Sequence, residues 1–382
     1  MTHQEYSPGL QNVIAAVTRI SYLDVEQEEI VVRGYNLIEL AEHCTYLEVA
    51  YLLIYGTFPT REQVQDFESR LRSEAEIPES LYHTFLGFPK QMHVMDGLRT
   101  GISLLAGYED PELLADPSRE ANITKGLRIL ARAPAIAANV YHAMNGEPFV
   151  HPHPDLNFTA NFLYMIQGRA PDDQAVTIFD RMLVCYSEHE LPNSTFAARV
   201  IASTLTDIYG AIVGAIASLK GPLHGGANEA SLRMLLDILD RGGSEVAETY
   251  VLEKLARKER IMGFGHRVYM RKHDPRAVLL EQYIPQLIHR KPEGPELYAI
   301  YRKVAEVMAR EKGIYPNTDY PIGLILYLLD VPIDLYTPIF LCARTAGLVA
   351  HVIEQHAHNR LYRPRVRYEG PRGLHPPAMD TT

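Results

Sequence analysis

Residues 219–230 read LKGPLHGGANEA, and this stretch interrupts a chain that otherwise favours helix. The run before it, IYGAIVGAIASL at residues 208–219, is mostly apolar and is predicted to be a buried helix. After it, leucines at positions 232, 235, 236 and 239 recur with the spacing of one helix face. The proline and the glycines around His224 cannot continue a regular helix, so we expect His224 in a turn at a helix start.

Helix signals recur along most of the sequence, whereas strand patterns are confined to its start. Thr45 with Glu48, and Thr60 with Gln63, have the spacing of capping boxes that begin helices. The short runs RISYLD and EIVVRGY are rich in β-branched and aromatic residues and predict a small hairpin. No flexible Ser/Gly linker divides the chain. The predicted fold class is therefore mainly α, with two domains in contact and a minor N-terminal β-hairpin.

Composition limits the classes of protein that this chain can represent. Its 382 residues are 47% hydrophobic and 22% charged, as in an ordinary globular protein. The formal net charge of -10 supplies no global field that would attract nucleic acid or an anionic membrane. The apolar run at 208–219 also falls short of the ~20 residues that span a bilayer. We therefore expect neither nucleic acid nor a membrane as a partner.

The cysteines and the N-terminus indicate the cellular compartment. Cys44, Cys185 and Cys342 lie far apart and lack CxxC spacing, which suits a reducing environment. The first residues, MTHQEYSPGLQ, lack the basic and apolar regions of a secretory signal. A cytoplasmic location is expected.

Two later segments combine helix-breaking residues with groups that could do chemistry. Residues 261–277, IMGFGHRVYMRKHDPRA, expose backbone amides near His266 and bring cations together, although such a charge run is more often a solvated helix face. Residues 313–323, GIYPNTDYPIG, place Asp319 between two prolines, where an Asp most often caps the next helix or closes a turn. Taken alone, each segment has a purely structural explanation.

Arg344 stands out because almost every neighbour in IFLCARTAGLVAHVI is apolar. A buried guanidinium usually has an anionic partner, and no carboxylate lies within one helical turn of it. A ligand carboxylate is a natural partner, with a snorkelling side chain as the alternative. His351, His356 and His358 lack the spacing of a metal site and are interpreted as core or surface histidines, so no metal is expected.

Taken together, these segments resemble the citrate synthase family over about residues 6–370. GPLHGGANE, IMGFGHRVY with the later DPR, YPN followed by Asp319, and NRLYRPR occur in the family's order and approximate spacing. The resemblance implies a reaction that joins a short acyl-CoA to oxaloacetate. It also implies a mostly helical homodimer, with a large domain at residues 1–221 and 323–382 and an inserted small domain at 222–322 that closes over the substrates.

The resemblance assigns the chemistry to three residues. Asp319 would remove a proton from the acyl α-carbon of the thioester. His224 would hydrogen-bond the developing enolate oxygen, and His266 would polarise the ketone of oxaloacetate and protonate the new alkoxide. Enolate stabilisation is needed because a thioester α-proton is too weakly acidic for a free carboxylate to remove.

Further residues are implied as ligands of the two substrates. Arginine suits a dicarboxylate because its planar guanidinium pairs bidentately with a carboxylate. Oxaloacetate would be bound by His189, Arg276, Arg344 and the partner subunit's Arg363. CoA would lie along Ile261, Met262, Gly263, Phe264 and Gly265, with Arg271 at a phosphate. The reaction requires no metal and no redox cofactor.

The acyl group is predicted from three longer stretches, YSPGLQNVIAAVTRISYLD, SEHELPNSTFAARVIAST and ARTAGLVAHVIEQHAHNRL. They are most similar to the branch that includes bacterial 2-methylcitrate synthases, which use propionyl-CoA in propionate metabolism. This favours 2-methylcitrate synthase with citrate synthase activity alongside. A dedicated citrate synthase of the tricarboxylic acid cycle is the alternative, and a non-catalytic CoA- and dicarboxylate-binding protein is a more remote one.

One departure from the family pattern bears on this choice. After Asp319 the family usually continues with two aromatic residues and a small one, whereas this chain continues with Tyr320, Pro321 and Ile322. Pro321 is expected to stiffen the loop that carries the base. The acyl pocket is therefore expected to differ in shape.

Overall fold

The computed structural model describes residues 6–11, 13–24, 26–265 and 272–376, and most of them are helical. The α-helices are α1 (Leu37–His43), α2 (Tyr46–Tyr55), α3 (Arg61–Glu74), α4 (Glu79–Leu86), α5 (Val94–Leu105), α6 (Pro111–Ala115), α7 (Arg119–Asn145), α8 (Phe158–Gln167), α9 (Asp173–Ser187), α10 (Asn193–Ala202), α11 (Ile208–Leu219), α12 (Ala227–Gly242), α13 (Ser244–Ala256), α14 (Pro275–Glu281), α15 (Ile284–Leu287), α16 (Gly294–Lys312), α17 (Asp319–Leu328) and α18 (Tyr336–Ala357). Short 3-10 helices cover Pro8–Leu10, Ala106–Tyr108, Ile288–Arg290 and Ile333–Leu335. The mainly α fold class is confirmed.

A small antiparallel sheet lies near the N-terminus. Strand β1 (Ser21–Asp24) pairs with β2 (Glu29–Val32), and β2 pairs with the short β3 (Tyr35–Asn36). Ile30 and Val32 alternate with less buried neighbours and face the core. The predicted N-terminal hairpin is therefore confirmed, and a short third strand extends it.

Local sequence signals explain where two of the early helices begin. Thr45 accepts a hydrogen bond from the backbone N–H of Glu48, whose side chain accepts one from the backbone N–H of Thr45. Thr60 and Gln63 form the same reciprocal pair at the start of α3. Both predicted capping boxes are present, and each satisfies N–H groups that a first helical turn leaves unpaired.

Helix α18 is the centre of the core. Every residue from Tyr336 to Ile353 is buried, and the helix packs against α2, α7, α9, α10 and α11. The stretch Ile333–Ala357 is long and apolar enough to cross a membrane by length and composition, but 100% of its apolar window is buried inside the protein. Its hydrophobicity is that of a core helix.

Helices α12 to α17 form a second group that packs mainly within itself. Helix α12 contacts α13, α16 and α17, and α17 also contacts α14 and α15. The group corresponds to the residues predicted as an inserted small domain, and that division stays a prediction. Its predicted end at residue 322 falls inside α17, which is continuous from Asp319 to Leu328.

The turn predicted around His224 connects α11 to α12. The backbone N–H of His224 donates to the carbonyl of Gly221, and that of Gly225 donates to the carbonyl of Leu219, each at 2.9 Å. A Cβ at Gly225 would collide with the Leu219 carbonyl oxygen. Glycine therefore permits this tight return of the chain, which holds His224 beside α10 and α18.

The contact between α7 and α18 gives a prediction about stability. A Cβ added at Gly126 would lie 2.5 Å from Cγ1 of Val349. Gly126→Ala would overpack this interface at a typical cost of ~1–3 kcal/mol, while the better helix propensity of alanine would offset up to ~1 kcal/mol. We expect the free energy of unfolding to fall by about 1–2 kcal/mol, measured by urea denaturation at fixed protein concentration.

Gly107→Ala is the matched control for this substitution. A Cβ at Gly107 would meet no heavy atom within 4 Å. The control should change the free energy of unfolding by less than about 0.5 kcal/mol. Equal effects of the two substitutions would contradict the packing explanation.

Candidate active site

Asp319 is the first residue of α17 and is held by three separate parts of the chain. Its backbone N–H donates to Oδ1 of Asn317 at 3.0 Å, and its carbonyl accepts from Oγ of Ser231 at 3.2 Å. Its side chain accepts from Tyr186, with 2.7 Å between Tyr186 Oη and Asp319 Oδ1. Thr318 occupies the N-cap position of α17 without a side-chain cap bond. The structural explanation of Asp319 as a helix cap is therefore wrong.

Burial is the largest influence on the Asp319 carboxyl group. It raises the pKa of Asp319 to about 6, although the Tyr186 hydrogen bond and the nearby guanidiniums of Arg276 and Arg344 act in the opposite direction. A carboxyl group with this pKa is mostly ionised at neutral pH. It is also a stronger base than an exposed aspartate.

His224 is oriented by Ser194 at the start of α10. Its Nε2 lies 3.2 Å from the backbone nitrogen of Ser194 and 2.8 Å from Ser194 Oγ. Because a backbone N–H can only donate, Nε2 is an acceptor, and the proton of the neutral ring is on Nδ1. Burial and the positive charge of Arg344 lower the pKa of His224 to about 4. The ring is therefore neutral near pH 7 and offers Nδ1–H as a donor.

Arg344 lies in the middle of α18 and is only 2% exposed. Its Nε donates to the backbone carbonyl of Tyr186 at 2.6 Å, and its guanidinium carbon lies 5.0 Å from the centroid of the Phe340 ring. Burial lowers the pKa of Arg344 to about 10, so the side chain is still charged at neutral pH. No described residue accepts a hydrogen bond from its buried Nη1. This arrangement suits an anionic ligand.

A second buried guanidinium, that of Arg276, lies at the start of α14. It forms a bidentate ion pair with Asp274, with Nε to Oδ1 at 3.0 Å and Nη2 to Oδ2 at 2.7 Å. Oδ2 of Asp274 also accepts from the backbone N–H of Thr318 at 3.2 Å. Asp274 therefore orients Arg276 and connects it to the residue that precedes Asp319.

His189 follows α9 and is 6% exposed. The residue before it, Glu188, is completely buried, and its Oε1 lies 2.8 Å from Oγ of Ser21 and 3.2 Å from Nε2 of His351. Burial alone would raise the pKa of Glu188, but His351 and Arg344 outweigh it and lower the pKa. An ionised carboxylate thus lies close to the buried cation of Arg344.

The segment at residues 261–265 is joined by hydrogen bonds to the loop before Asp319. The backbone N–H of Asn317 donates to the carbonyl of Gly263 at 2.9 Å, and Nδ2 of Asn317 donates to the carbonyl of Gly265 at 2.9 Å. The backbone N–H of Gly265 donates to the carbonyl of Tyr315 at 3.0 Å. The predicted CoA segment and the loop of the base therefore form one unit.

Side chains reinforce this unit. Gly263 has a φ of +81°, and a Cβ there would lie 2.8 Å from the ring of Tyr320, so the position requires glycine. The rings of Phe264 and Tyr320 are 4.5 Å apart at their centroids. Ile261 is buried, while Met262 is partly exposed. The residue next to the base thus packs directly on the predicted CoA segment.

Comparison with known proteins identifies the family. Residues 9–365 match the family model described as "Citrate synthase, C-terminal domain". A "Citrate/2-methylcitrate synthase" of Bacillus subtilis (strain 168) is 49% identical over 97% of this chain and 98% of that protein. The chain belongs to the citrate synthase family. A "Citrate synthase" of Heyndrickxia coagulans is 47% identical over 97% of this chain and 98% of its own length.

A solved structure supports the same family and fold. The ternary complex of carboxymethyl coenzyme A and oxaloacetate with citrate synthase from Thermoplasma acidophilum has a TM-score of 0.91 and 31% identity to this chain. The match covers 98% of this chain and 99% of that one. Membership of the citrate synthase family, predicted from the motifs, is confirmed.

The structure of this citrate synthase-family chain brings most of the predicted site residues together. Asp319 and Arg344 meet through Tyr186, and the ring of His224 lies 6.3 Å from that of Phe340, on which Arg344 stacks. Arg363 is different. It is exposed in the segment after α18, where its Nη1 donates to the carbonyl of Pro364 at 3.4 Å, and no described contact joins it to this site.

Two predicted residues, the acid–base His266 and the CoA contact Arg271, lie outside the described residues. The expectation that Pro321 stiffens a loop is wrong, because Pro321 lies in the first turn of α17. A proline is tolerated there, since the first turn makes no intrahelical use of its N–H groups. Pro321 therefore shapes the start of a helix behind Asp319.

Sequence reasoning missed the residues that orient the predicted ones. Tyr186 is 133 residues from Asp319 in the chain, and Ser194 is 30 residues from His224. No local spacing connects either pair. The one available signal is Glu188, a charged residue directly after the mostly apolar run MLVCYS at residues 182–187 and directly before His189.

Proposed function

We propose that this chain condenses a short acyl-CoA with oxaloacetate and water, giving 2-methylcitrate from propionyl-CoA or citrate from acetyl-CoA, together with free CoA. The observation that carries the proposal is a half-buried Asp319, whose pKa of about 6 leaves it mostly ionised at neutral pH, near two buried guanidiniums, those of Arg276 and Arg344. A carboxylate base beside fixed cations suits the removal of a proton from one substrate while a dicarboxylate is bound beside it.

In this reaction Asp319 takes the α-proton of the acyl thioester. Its raised pKa of about 6 makes it a better match for the weakly acidic C–H than an ordinary aspartate, yet leaves it ionised at neutral pH. The electron pair of the broken C–H bond moves onto the thioester oxygen and forms an enolate. The proton is lost from Asp319 before the next turnover.

His224 stabilises that enolate as a neutral donor. Ser194 holds Nε2 as an acceptor, so Nδ1–H is the group available to the thioester oxygen. A fixed donor in a site that excludes water is worth ~3 kcal/mol of barrier. A neutral imidazole donates a hydrogen bond to the enolate oxygen without transferring its proton, so the enolate stays nucleophilic.

The enolate carbon then attacks the ketone carbon of oxaloacetate, and the new alkoxide takes a proton. Arg344 and Arg276 would pair with the two carboxylates of oxaloacetate, and His189 would contribute a further contact. Arg344 is the better supported of the two arginines, since its Nη1 has no acceptor in the described part of the chain. Polarisation of the ketone and protonation of the alkoxide are the roles predicted for His266. Water finally hydrolyses the thioester and releases CoA.

CoA would bind along residues 261–265, with Arg271 at a phosphate. The hydrogen bonds from Asn317 to this segment support the assignment, because they fix its distance from Asp319. A thioester bound there would present its acyl group to the base.

The acyl group itself is the finer part of the proposal. The Bacillus subtilis relative has both activities in its name, whereas the Heyndrickxia coagulans relative, of nearly equal identity, is named for citrate alone. One methylene is worth only ~1–3 kcal/mol in an apolar pocket, so use of both acyl groups is expected. We favour 2-methylcitrate synthase with citrate synthase activity alongside.

The same proposal includes a homodimer in which Arg363 completes the partner's site. Arg363 is exposed, and apolar side chains are exposed near both ends of the described chain, including Ile14 and Val17 at 89% and Val366 at 87%. Exposed apolar termini suit burial against a second subunit. A cytoplasmic location, closure of residues 222–322 over the substrates, and chemistry without a metal or redox cofactor complete the proposal.

The first test measures turnover directly. Purified protein is mixed with oxaloacetate and either propionyl-CoA or acetyl-CoA, and release of the free CoA thiol is followed. We expect both to be used, with kcat/KM for propionyl-CoA at least comparable to that for acetyl-CoA. Release of the CoA thiol from acetyl-CoA but not from propionyl-CoA would indicate a dedicated citrate synthase. Binding of oxaloacetate without release from any short acyl-CoA would indicate a non-catalytic protein.

The second test addresses the base. Asp319→Asn keeps the shape of the side chain but cannot accept a proton, so turnover should fall at least ~1,000-fold while oxaloacetate still binds, as measured by calorimetry. Asp180→Asn is the matched control. Asp180 is another half-buried aspartate whose pKa is raised by burial to about 6, but it accepts from the backbone N–H of Tyr46 and lies outside the site.

Near-normal turnover of Asp319→Asn would remove Asp319 from the role of base. A comparable loss in folded Asp180→Asn would mean that the first effect reflects the loss of a buried carboxylate in general. Circular dichroism of both variants establishes that the comparison is between folded proteins.

A third test asks which subunit uses Arg363. If Arg363 serves the partner's site, Arg363→Ala and Asp319→Asn are each inactive as homodimers. Mixed dimers formed by unfolding and refolding the two together then contain one intact site, built from Asp319 of one subunit and Arg363 of the other. Half the dimers are mixed and each has one working site, so about a quarter of wild-type activity should return. No recovery would place Arg363 within its own subunit's site, and an active Arg363→Ala homodimer would place it outside any site.

A further inference from the structure

The hydroxyl of Tyr186 is the one side-chain group among the described residues that hydrogen-bonds the Asp319 carboxylate, at 2.7 Å. Tyr186 lies in the last turn of α9 and is completely buried. Its ring stacks on Phe340, with centroids 4.1 Å apart and an angle of 17° between the planes. A rigid aromatic side chain packed in this way fixes the position of its hydroxyl.

The direction of the hydrogen bonds follows from Asn228 on α12. The backbone N–H of Glu229 donates to Oδ1 of Asn228 at 2.7 Å, which fixes the orientation of the amide. Nδ2 of Asn228 is therefore the donor to Tyr186 Oη, at 3.2 Å. Since Oη accepts from Asn228, its own proton is directed to Oδ1 of Asp319. The amide donation also makes the hydroxyl a stronger donor.

This chain of donors has two consequences for Asp319. Oδ1 is occupied by Tyr186, while no described residue donates to Oδ2, so Oδ2 is the oxygen that is left to take a proton. The donation also favours the ionised form of the carboxyl group. Among the described residues, the other charged groups that act on Asp319 are Arg276 and Arg344, which also favour ionisation, and Asp274, which opposes it.

We infer that Tyr186 is a positioning residue for the base: its hydroxyl, polarised by Asn228, holds Oδ1 of Asp319 and directs proton transfer to Oδ2. The inference rests on the proposed function of Asp319. Tyr186 acts through Asp319 and is not assigned a contact with substrate. Its hydroxyl also has a second effect, since it opposes the rise in the pKa of Asp319 that burial causes.

Tyr186 has a separate structural contact that the test must leave intact. Its backbone carbonyl accepts from Nε of Arg344 at 2.6 Å. Tyr186→Phe removes the hydroxyl but retains this carbonyl and the stack on Phe340. Binding of oxaloacetate by Arg344 should therefore survive the substitution.

The experiment is the pH profile of kcat/KM for the acyl-CoA in wild type and Tyr186→Phe. Removing a hydrogen bond to a charged group should raise the pKa of Asp319, so the acid limb should move to higher pH by about one unit. We expect kcat to fall even above that limb, while KM for oxaloacetate changes less than about twofold. Asn228→Ala, which only weakens the donation, should move the limb in the same direction by a smaller amount.

Tyr82→Phe is the matched control. Tyr82 is 2% exposed, and its hydroxyl donates to a carboxylate oxygen of Glu76 at the same 2.7 Å, remote from Asp319. Tyr82→Phe should leave the pH of the acid limb of kcat/KM unchanged. The inference would be overturned if the pH of the acid limb were unchanged in both Tyr186→Phe and Asn228→Ala. An equal shift in Tyr82→Phe would overturn it as well.

A second readout does not require turnover. The carboxyl C=O stretch of Asp319, identified by infrared difference against Asp319→Asn, can be titrated in wild type and Tyr186→Phe. The protonated signal should persist to higher pH in Tyr186→Phe, and identical titrations would overturn the inference. If no acyl-CoA is turned over but the titration still shifts, the proposed function fails while the link between Tyr186 and Asp319 stands.

Discussion

The burial of the Arg344 guanidinium in a core helix is the constraint on which the rest of this site depends. A charge placed inside a core helix is costly unless its surroundings replace the water that it loses. Here the replacement comes from the carbonyl of Tyr186, the face of the Phe340 ring and the nearby carboxylate of Glu188. The carbonyl of Tyr186 and the carboxylate of Glu188 come from the end of α9, so the surroundings of Arg344 join α9 to α18.

Glu188 also connects Arg344 to groups that lie further from the site. It is buried beside His351, whose other ring nitrogen lies 2.9 Å from Nη1 of Arg199, and that atom also donates to Glu354 at 2.8 Å. The carboxylate of Glu354 in turn accepts from the backbone N–H of Arg19 at 2.8 Å. A series of hydrogen bonds and ion pairs thus runs from Glu188 beside the candidate site to the segment before β1. A side chain at position 347 of α18 would collide with the Glu188 carboxylate, which explains the glycine there.

Local signals in the sequence predicted the parts of this structure that depend on neighbours in the chain. The capping boxes at Thr45 and Thr60, the hairpin and the turn around His224 are all determined within a few residues, and the structure confirms them. Only the family motif singles out Asp319, since its own neighbourhood favours a helix cap. The sequence singles out Asp319 and His224, but it does not single out Tyr186 and Ser194, which orient them. Those partners come from helices far apart in sequence, and only the packing of α9 and α10 against α12, α17 and α18 determines which hydroxyl or amide faces which acid or base.

The hydrogen bonds between residues 263–265 and residues 315–317 place a second constraint on the site, because they make the predicted CoA segment and the base move as one body. Helices α12 to α17 pack mainly with each other, so a movement of this group against α18 would preserve the distance between the base and a bound thioester. It would change the distance of both from Arg344 and from Tyr186, which belong to the α9–α18 side. The Tyr186–Asp319 hydrogen bond would then form only when the two groups meet. In that geometry the base would acquire its hydroxyl donor only when the guanidinium of Arg344 is also within reach. Orientation of the base would thereby be coupled to assembly of the complete site.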